Sequence, residues 1–322
     1  MADRVFITDV SPRDGLQNEP GAIPTADKLR LIRLLAASGV DGIELTSFVS
    51  PRWVPQLADA ADVVEGVWDS QPFPSAELIA LVPNERGMHA VESLLANRGL
   101  GGRGQHRGGG SLDTIALFTA ASETFCRKNI NCSIAESIER FKPLIERAAE
   151  HSLRVRAYIS CAIACPFEGP IAPERVAQVA RMLGDAGLEL GADLSQGDAI
   201  DLGDTIGAGT PESVTAAHEA VTRAIGAPVI WHLHDTFGRA AECVRELLRL
   251  GCRSFDGSAA GLGGCPYAST PGKRAPGNIA TDVLVRTVHA AGYRTGVDLA
   301  RLAEASAFAS EMVARARAGA SS

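Results

Sequence analysis

Short apolar, β-branched runs alternate with longer segments of helical apolar spacing along most of this 322-residue chain. The first unit has a β-rich run at 5–10, followed by a polar turn at 11–15. A helix pattern then begins near Thr25 and places Leu29, Ile32 and Leu35 on one face. The alternation continues, and we predict eight strands, at 5–10, 42–46, 78–82, 114–118, 154–160, 199–203, 229–234 and 254–258. Helices are expected in the intervals, among them 54–67, 134–150 and 211–225, and two more at 280–291 and 298–317.

Eight strands that alternate with helices are typical of an α/β protein with a (β/α)8 TIM barrel. An open doubly wound sheet is the alternative. It is disfavoured because the turn after the first strand reads Pro-Arg-Asp-Gly-Leu (12–16), where that fold needs a Gly-x-Gly-x-x-Gly fingerprint. We therefore predict one domain over 1–322, with the barrel at about 4–260 and a Gly-rich active-site loop and additional C-terminal helices at about 261–317.

Polar side chains stand at the predicted carboxyl ends of several strands. They are Arg13 and Asp14, Glu44, Ser160, Asp204, and His232 with His234. In a barrel these ends meet at one mouth, where barrel enzymes hold their chemistry. His232 and His234 flank Leu233 on a strand, so both imidazoles project to the same side and could hold one divalent metal ion. A hydrogen-bonded histidine pair without a metal is the alternative interpretation of these two residues.

The composition restricts the classes of partner. A net charge of −7 argues against a nucleic-acid-binding protein, which normally carries a basic face. The N-terminal residues contain neither a secretory signal nor a membrane-spanning segment, so we expect a cytoplasmic protein without a membrane partner. Seven cysteines, an odd number, are expected to be reduced thiols. The glycine- and arginine-rich insert at 97–110 is expected to be a flexible surface loop.

Six stretches resemble the 3-hydroxy-3-methylglutaryl-coenzyme A (HMG-CoA) lyase family, and together they extend over nearly the whole chain. They are Ser-Pro-Arg-Asp-Gly-Leu-Gln-Asn-Glu (11–19), Ile-Glu-Leu-Thr-Ser-Phe-Val-Ser-Pro (43–51), Lys-Asn-Ile-Asn-Cys-Ser (128–133), Leu-Gly-Asp-Thr-Ile-Gly (202–207), His-Leu-His-Asp-Thr (232–236) and Gly-Leu-Gly-Gly-Cys-Pro-Tyr-Ala (261–268). The last stretch is the most specific, because His-x-His also occurs in condensing relatives such as isopropylmalate synthase. One departure is Asp201, which stands where the family usually has a serine.

The resemblance implies a metal site formed by Asp14, His232, His234 and Asn278. Carboxylate, imidazole and amide-oxygen ligands favour Mg²⁺ or Mn²⁺ over a thiolate-bound zinc. Asp14 could instead be a turn-forming residue. Asn278 could instead cap the helix that follows it.

The activity that the resemblance implies is the retro-Claisen cleavage of (S)-3-hydroxy-3-methylglutaryl-CoA to acetyl-CoA and acetoacetate. The implied catalytic residues are Arg13, Cys265, Asp204 and Glu44, and the implied substrate contacts are Arg13, Gln17, Tyr158 and Thr205. Arg13 would stabilise the thioester oxygen as it becomes an enolate. Cys265 would transfer protons from a mobile loop. Asp204 and Glu44 would orient Arg13 and shuttle protons. As alternatives, Arg13 could form a structural salt bridge with Glu44 or Asp204, and a free cysteine is often a small buried apolar residue.

Three other functions remain to be distinguished. One is a lyase for a longer 3-hydroxy-3-alkylglutaryl-CoA, one is a Claisen-condensing acyltransferase of the isopropylmalate synthase type, and one is a metal-binding barrel without activity. The condensing function is disfavoured because the cysteine loop belongs to the lyase side of the resemblance. The resemblance further implies an acyl-CoA partner, a homo-oligomer (a dimer or larger), and a role in leucine degradation or ketone-body formation.

Overall fold

The computed structural model describes residues 3–70, 75–99, 112–192, 194, 197–264 and 277–320. Within these residues, eight parallel strands close into a barrel in the order β1-β2-β3-β4-β5-β8-β9-β10, and β10 pairs with β1. The strands are β1 Phe6–Asp9, β2 Gly42–Ser47, β3 Glu77–Leu81, β4 Thr114–Ala120, β5 Arg154–Ser160, β8 Ala199–Asp204, β9 Ile230–Leu233 and β10 Ser254–Gly257. The predicted (β/α)8 barrel is confirmed.

Helices connect the strands and surround the barrel. They are α1 Thr25–Ala37, α2 Ala60–Trp68, α3 Glu85–Asn97, α4 Glu123–Ile130, α5 Ile134–Glu150, α6 Pro173–Asp185, α7 Pro211–Ile225, α8 Ala240–Arg249, α9 Thr281–Ala290 and α10 Leu299–Ala320. A short hairpin, β6 Ala164–Cys165 and β7 Gly169–Pro170, follows β5. The two C-terminal helices close the structure, and α10 packs against α1.

Local sequence explains where several helices begin. Ser133 and Glu136 form a capping box at the start of α5, and Thr210 caps α7 ahead of Pro211. For α5, β5 and α7 the predicted and observed bounds coincide. Most of the other elements that we predicted are present, with ends shifted by a few residues.

Three local predictions were wrong. The segment 11–15, expected to be a polar turn, is a helical turn over Ser11–Gly15. The helix expected from residue 54 begins at Ala60, because Pro55 opens a separate short 3₁₀ turn over Pro55–Leu57. Helix α4 was not predicted, since its eight residues give too short an apolar pattern to be recognised.

Apolar side chains between the barrel and its helices form the main core, which includes Leu31, Val63, Leu144 and Val244. The interior of the barrel contains a small hydrophobic cluster and a group of buried ionic residues. Ile79, Leu81, Ala116 and Tyr158 form a small separate cluster on the β3–β5 side. The remaining interior includes the buried ionic residues Arg156, Asp201 and Asp256, where barrels usually contain branched aliphatic side chains.

None of the helices in the described ranges is both long and apolar enough to cross a bilayer. Most of the insert at 97–110 lies outside the described residues. The assignment of 1–322 to one domain stays a prediction.

Candidate metal centre and active site

The two histidines lie at the mouth of the barrel, His232 on strand β9 and His234 directly after the last residue of that strand. His232 and His234 are both buried, and their Nε2 atoms are 3.2 Å apart. The rings project to the same side because residues two apart in an extended segment do so, and their planes are tilted by 58°. Two imidazole nitrogens directed at one point are suited to share a ligand.

The helical turn after β1 brings Asp14 to the histidines. Asp9, at the end of β1, accepts the Ser11 backbone N–H at 2.9 Å and the Thr281 hydroxyl at 2.6 Å, and these bonds fix the start of the turn. One carboxylate oxygen of Asp14 and one ring nitrogen from each histidine all lie within 4.8 Å of one another. The three side chains are therefore close enough to bind a single ion.

Asn278 approaches the same point from the segment before α9. Its Nδ2 donates to Asp14 Oδ2 at 2.8 Å and to the Leu262 carbonyl at 2.9 Å. Gly263 makes this approach possible, since a Cβ there would lie 2.6 Å from Asn278 Nδ2 and its φ is +100°. Among the described residues, the buried Asn278 Oδ1 has no hydrogen-bond partner.

The chemistry of these donors fits a hard divalent cation. Burial alone would raise the pKa of Asp14, but Arg13 and the two histidines outweigh it and lower that pKa to about 2. Burial and the neighbouring His232 lower the pKa of His234 to about 4, so its imidazole is neutral at physiological pH. An ionised carboxylate, a neutral imidazole and an unpartnered amide oxygen are ligand types that Mg²⁺ and Mn²⁺ accept.

Arg13 lies beside the metal ligands and is held by acids on two sides. Its guanidinium contacts Glu44 at 2.6 Å and Asp14 at 2.8 Å, and it lies over the Tyr158 ring at 5.7 Å from the centroid. Burial opposes the charge, but the two acids outweigh it and raise the pKa of Arg13. The buried Arg13 Nε has no hydrogen-bond partner in the described part of the chain and remains available as a donor.

Of the two acids that we expected to orient Arg13, only Glu44 contacts it. Asp204, at the end of β8, accepts the backbone N–H groups of Ala208 at 3.0 Å and Gly209 at 2.8 Å, and forms no ion pair with Arg13 in the described structure. A carboxylate at a strand end is well placed to cap the loop that follows. Burial, only partly offset by these bonds, raises the pKa of Asp204 to about 6.

The other residues proposed from the sequence differ in what they contact. Gln17 Nε2 donates to Asp14 Oδ1 at 2.9 Å, and Tyr158 donates to Glu44 at 3.4 Å. The Thr205 hydroxyl accepts the Cys161 backbone N–H at 2.7 Å and so supports the loop after β5. Cys265 lies outside the described residues.

Two buried residues next to the histidines were not selected from the sequence. Asp256 on β10 contacts His232 Nδ1 at 3.0 Å, and Arg156 on β5 forms ion pairs with Asp256 and Asp201. A charged residue at an interior-facing position of a strand was the available signal. Both residues lie within their strands, whereas the functional residues of a barrel are expected at the strand ends.

Curated relatives are similar over almost the whole chain. A hydroxymethylglutaryl-CoA lyase from Pseudomonas mevalonii is 44% identical over 301 residues, which are 93% of this chain and 89% of that protein. A mitochondrial hydroxymethylglutaryl-CoA lyase from Arabidopsis thaliana is 43% identical over 97% of this chain, although the chain spans only 60% of that protein's length. A cytoplasmic 3-hydroxy-3-methylglutaryl-CoA lyase from Mus musculus is 41% identical over 96% of this chain and 81% of that protein.

Solved structures agree with this likeness. An HMG-CoA lyase from Brucella melitensis superposes with a TM-score of 0.83 at 41% identity and covers 97% of this chain and 100% of its own. An Acinetobacter HMG-CoA lyase in complex with coenzyme A and 3-methylmalate has a TM-score of 0.81 at 30% identity, over 97% of this chain and 92% of its own. The HMGL-like family model matches residues 4–309, and the chain belongs to that family.

Proposed function

We propose that this protein is a carbon-carbon lyase that cleaves (S)-3-hydroxy-3-methylglutaryl-CoA into acetyl-CoA and acetoacetate. The observation that carries the proposal is the convergence of Asp14, His232 and His234 beside the buried Arg13, at the mouth of the barrel. Relatives named for this lyase activity support it, since the likeness covers nearly all of the chain.

The proposed cofactor is Mg²⁺ or Mn²⁺, held by Asp14, His232, His234 and Asn278. Such an ion supplies Lewis acidity toward oxygen atoms of the substrate. The Asp14 carboxylate would stay ionised throughout the physiological pH range, because its pKa is about 2.

Arg13 is proposed to stabilise the charge that develops when the C2–C3 bond breaks. The electron pair of that bond becomes an enolate on the acetyl thioester, and a buried guanidinium with a free Nε–H can donate to the enolate oxygen. Glu44 and Tyr158 hold the guanidinium in place from the barrel interior. Gln17 and Thr205 are proposed as further substrate contacts.

Two proton transfers complete the reaction. The 3-hydroxyl group must lose a proton as it becomes the ketone of acetoacetate, and the enolate carbon must gain one to give acetyl-CoA. Asp204 can exchange a proton near neutral pH because its pKa is about 6. Cys265 is proposed as the proton donor to the enolate carbon. Cys265→Ala should therefore lower kcat sharply and leave the affinity for Mn²⁺ unchanged.

The expected partner is an acyl-CoA, and a related lyase has been solved with coenzyme A. A homo-oligomer, and a role in leucine degradation or ketone-body formation, are parts of the same proposal. A cytoplasmic location is also proposed, and relatives are named for the cytoplasm as well as the mitochondrion.

One assay tests the function directly. The purified protein, stripped with EDTA, is mixed with the thioester, and acetyl-CoA and acetoacetate are measured before and after Mg²⁺ or Mn²⁺ is restored. Both products should appear in equal amounts and only with the metal. Faster cleavage of a longer 3-alkyl thioester would replace the proposed substrate, and release of free CoA from acetyl-CoA with a 2-oxo acid would indicate a condensing enzyme instead.

A further inference from the structure

We infer that Asp256 is a positioning residue that sets the orientation and tautomer of the metal ligand His232, and that Arg156 holds Asp256 in place. The inference rests on the proposed metal centre and extends it by a second layer of residues. It is carried by strand register, by contact geometry and by the arrangement of buried charge.

Strand register places the two side chains side by side. Asp256 on β10 is in register with His232 on β9 and with Thr8 on β1. Residues in register on adjacent parallel strands project to the same side, so the Asp256 carboxylate lies next to the imidazole inside the barrel. Both residues are buried, with 2% of Asp256 and 7% of His232 exposed.

The contact involves the ring nitrogen that faces away from the proposed metal. Asp256 Oδ2 is 3.0 Å from His232 Nδ1, whereas His232 Nε2 is 3.2 Å from His234 Nε2 on the other side of the ring. A carboxylate beside Nδ1 requires the proton there, which leaves the Nε2 lone pair directed at the metal position. Carboxylates that accept from a ligating histidine generally fix its tautomer and ring orientation.

A buried cation fixes the carboxylate in turn. Arg156 Nη2 donates to the other oxygen of Asp256, Oδ1, and Arg156 Nε donates to Asp201 Oδ2 at 2.9 Å. Arg156 Nη1 also donates to the Thr8 hydroxyl at 3.2 Å. The guanidinium is therefore bonded to residues of three other strands, and Asp256 cannot rotate away from His232 without losing an ion pair.

The position of this charge in the barrel favours a functional role over a stabilising one. Ion pairs buried this deeply contribute little net stability, because the cost of removing the ions from water offsets their attraction. A separate cluster of Ile79, Leu81, Ala116 and Tyr158 lies on the β3–β5 side of the same interior. The ion-paired group of Arg156, Asp201 and Asp256 instead contacts the metal ligand His232 through Asp256. Asp201 is one of the two acids that bind Arg156.

The test uses Asp256→Ala and Asp256→Asn in the full chain, with Mn²⁺ affinity measured by calorimetry and by electron paramagnetic resonance. Asparagine can present its oxygen to only one of its two neighbours, so its amide N–H₂ must face either Arg156 or His232 Nδ1, both of which are donors. We expect the Kd for Mn²⁺ to rise roughly 10- to 100-fold in both variants. A rise smaller than about tenfold in a folded variant would overturn the inference.

Asp198→Ala is the matched control, since it removes a partly buried, hydrogen-bonded carboxylate from the opposite end of the barrel. Its Kd for Mn²⁺ should equal that of the parent. An equal loss of affinity in this control would assign the effect to a loosened barrel and overturn the inference as well.

A measurement on the unmodified protein avoids dependence on whether the variants fold. In the Mg²⁺-saturated protein labelled with ¹⁵N-histidine, the His232 signal, identified by its absence in His232→Ala, should report a proton on Nδ1. A proton on Nε2 would overturn the inference. Neither readout involves turnover, so a parent protein that fails to cleave the thioester would contradict the proposed function and not the role of Asp256.

Discussion

Asp14 at the carboxyl end of the barrel and three aspartates at its amino end are all partly buried, yet their pKa values shift in opposite directions. At the amino end, Asp41, Asp113 and Asp198 directly precede β2, β4 and β8. Each accepts a backbone N–H from the neighbouring strand. Asp41 accepts from Ile7 at 2.9 Å, Asp113 from Leu78 at 2.9 Å and Asp198 from Val155 at 2.7 Å. Burial raises the pKa of all three, and that of Asp113 reaches about 6.

At the carboxyl end, Asp14 is also removed from water, yet its pKa falls to about 2. The difference is the surroundings, since Asp14 has Arg13 and two histidines beside it. Asp113 has a backbone N–H, the like charge of Glu77 and a smaller opposing effect from Arg154, which together do not outweigh burial. Burial acts in the same direction on both carboxylates, and the nearby charges determine the sign of the net shift. Among these four aspartates, the three that accept a backbone N–H from a neighbouring strand have a raised pKa, and the one beside the histidines has a lowered pKa and is suited to bind a cation.

The largest effect should come from Asp14→Ala. We expect it to abolish thioester cleavage and to raise the Kd for Mn²⁺ by more than about 100-fold, because the only carboxylate of the proposed ligand set is lost. Calorimetry with MnCl₂ and the acetyl-CoA assay measure the two quantities. If Asp14→Ala bound Mn²⁺ as tightly as the parent, Asp14 could not be a ligand.

Arg13→Gln should have the second-largest effect. We expect kcat to fall by about 10²- to 10³-fold, as is typical when a donor to a developing oxyanion is removed, with Mn²⁺ still bound. The pKa of Asp14 should rise, since Arg13 is the largest contributor that lowers it. Steady-state kinetics at saturating metal test this, and a fall of less than about tenfold would indicate an arginine with a structural role only.

Asp198→Ala should affect stability and not chemistry. It leaves the N–H groups of Val155 and Glu189 without their acceptor, which should lower the free energy of unfolding by about 1–3 kcal/mol. Urea denaturation and the lyase assay distinguish the two effects. A lowered kcat at unchanged stability would contradict a purely structural role for Asp198.

The smallest effect is the pH dependence of Asp113→Asn. The folded protein raises the pKa of Asp113 from 3.8 to about 6, so between these values the native state binds more protons and stability falls as pH rises. Asparagine keeps an acceptor for Leu78 and does not titrate. The Tm of the parent relative to Asp113→Asn should therefore decrease between about pH 4 and pH 7, and a difference that increased with pH would contradict the raised pKa.

Much of this architecture could be predicted from local patterns. Caps at Ser133 and Thr210 determine where α5 and α7 begin, and the bounds of both were predicted correctly. Helix α4 and the helical turn at Ser11–Gly15 were missed, because one is short and the other has no repeating pattern. Of the residues proposed for the active site, Asp14, His232 and His234 converge, whereas Asp204 caps its own loop and does not contact Arg13.

By itself, the sequence determined the alternation of strands and helices and the shared side of His232 and His234, because both follow from periods of a few residues along one segment. Only the tertiary structure decided that Asn278 reaches Asp14, 264 positions away, and that Asp256 lies against His232. Those contacts depend on barrel closure and on the register between β9 and β10. Register is set by the packing of all the strands together, so no single stretch of sequence specifies it.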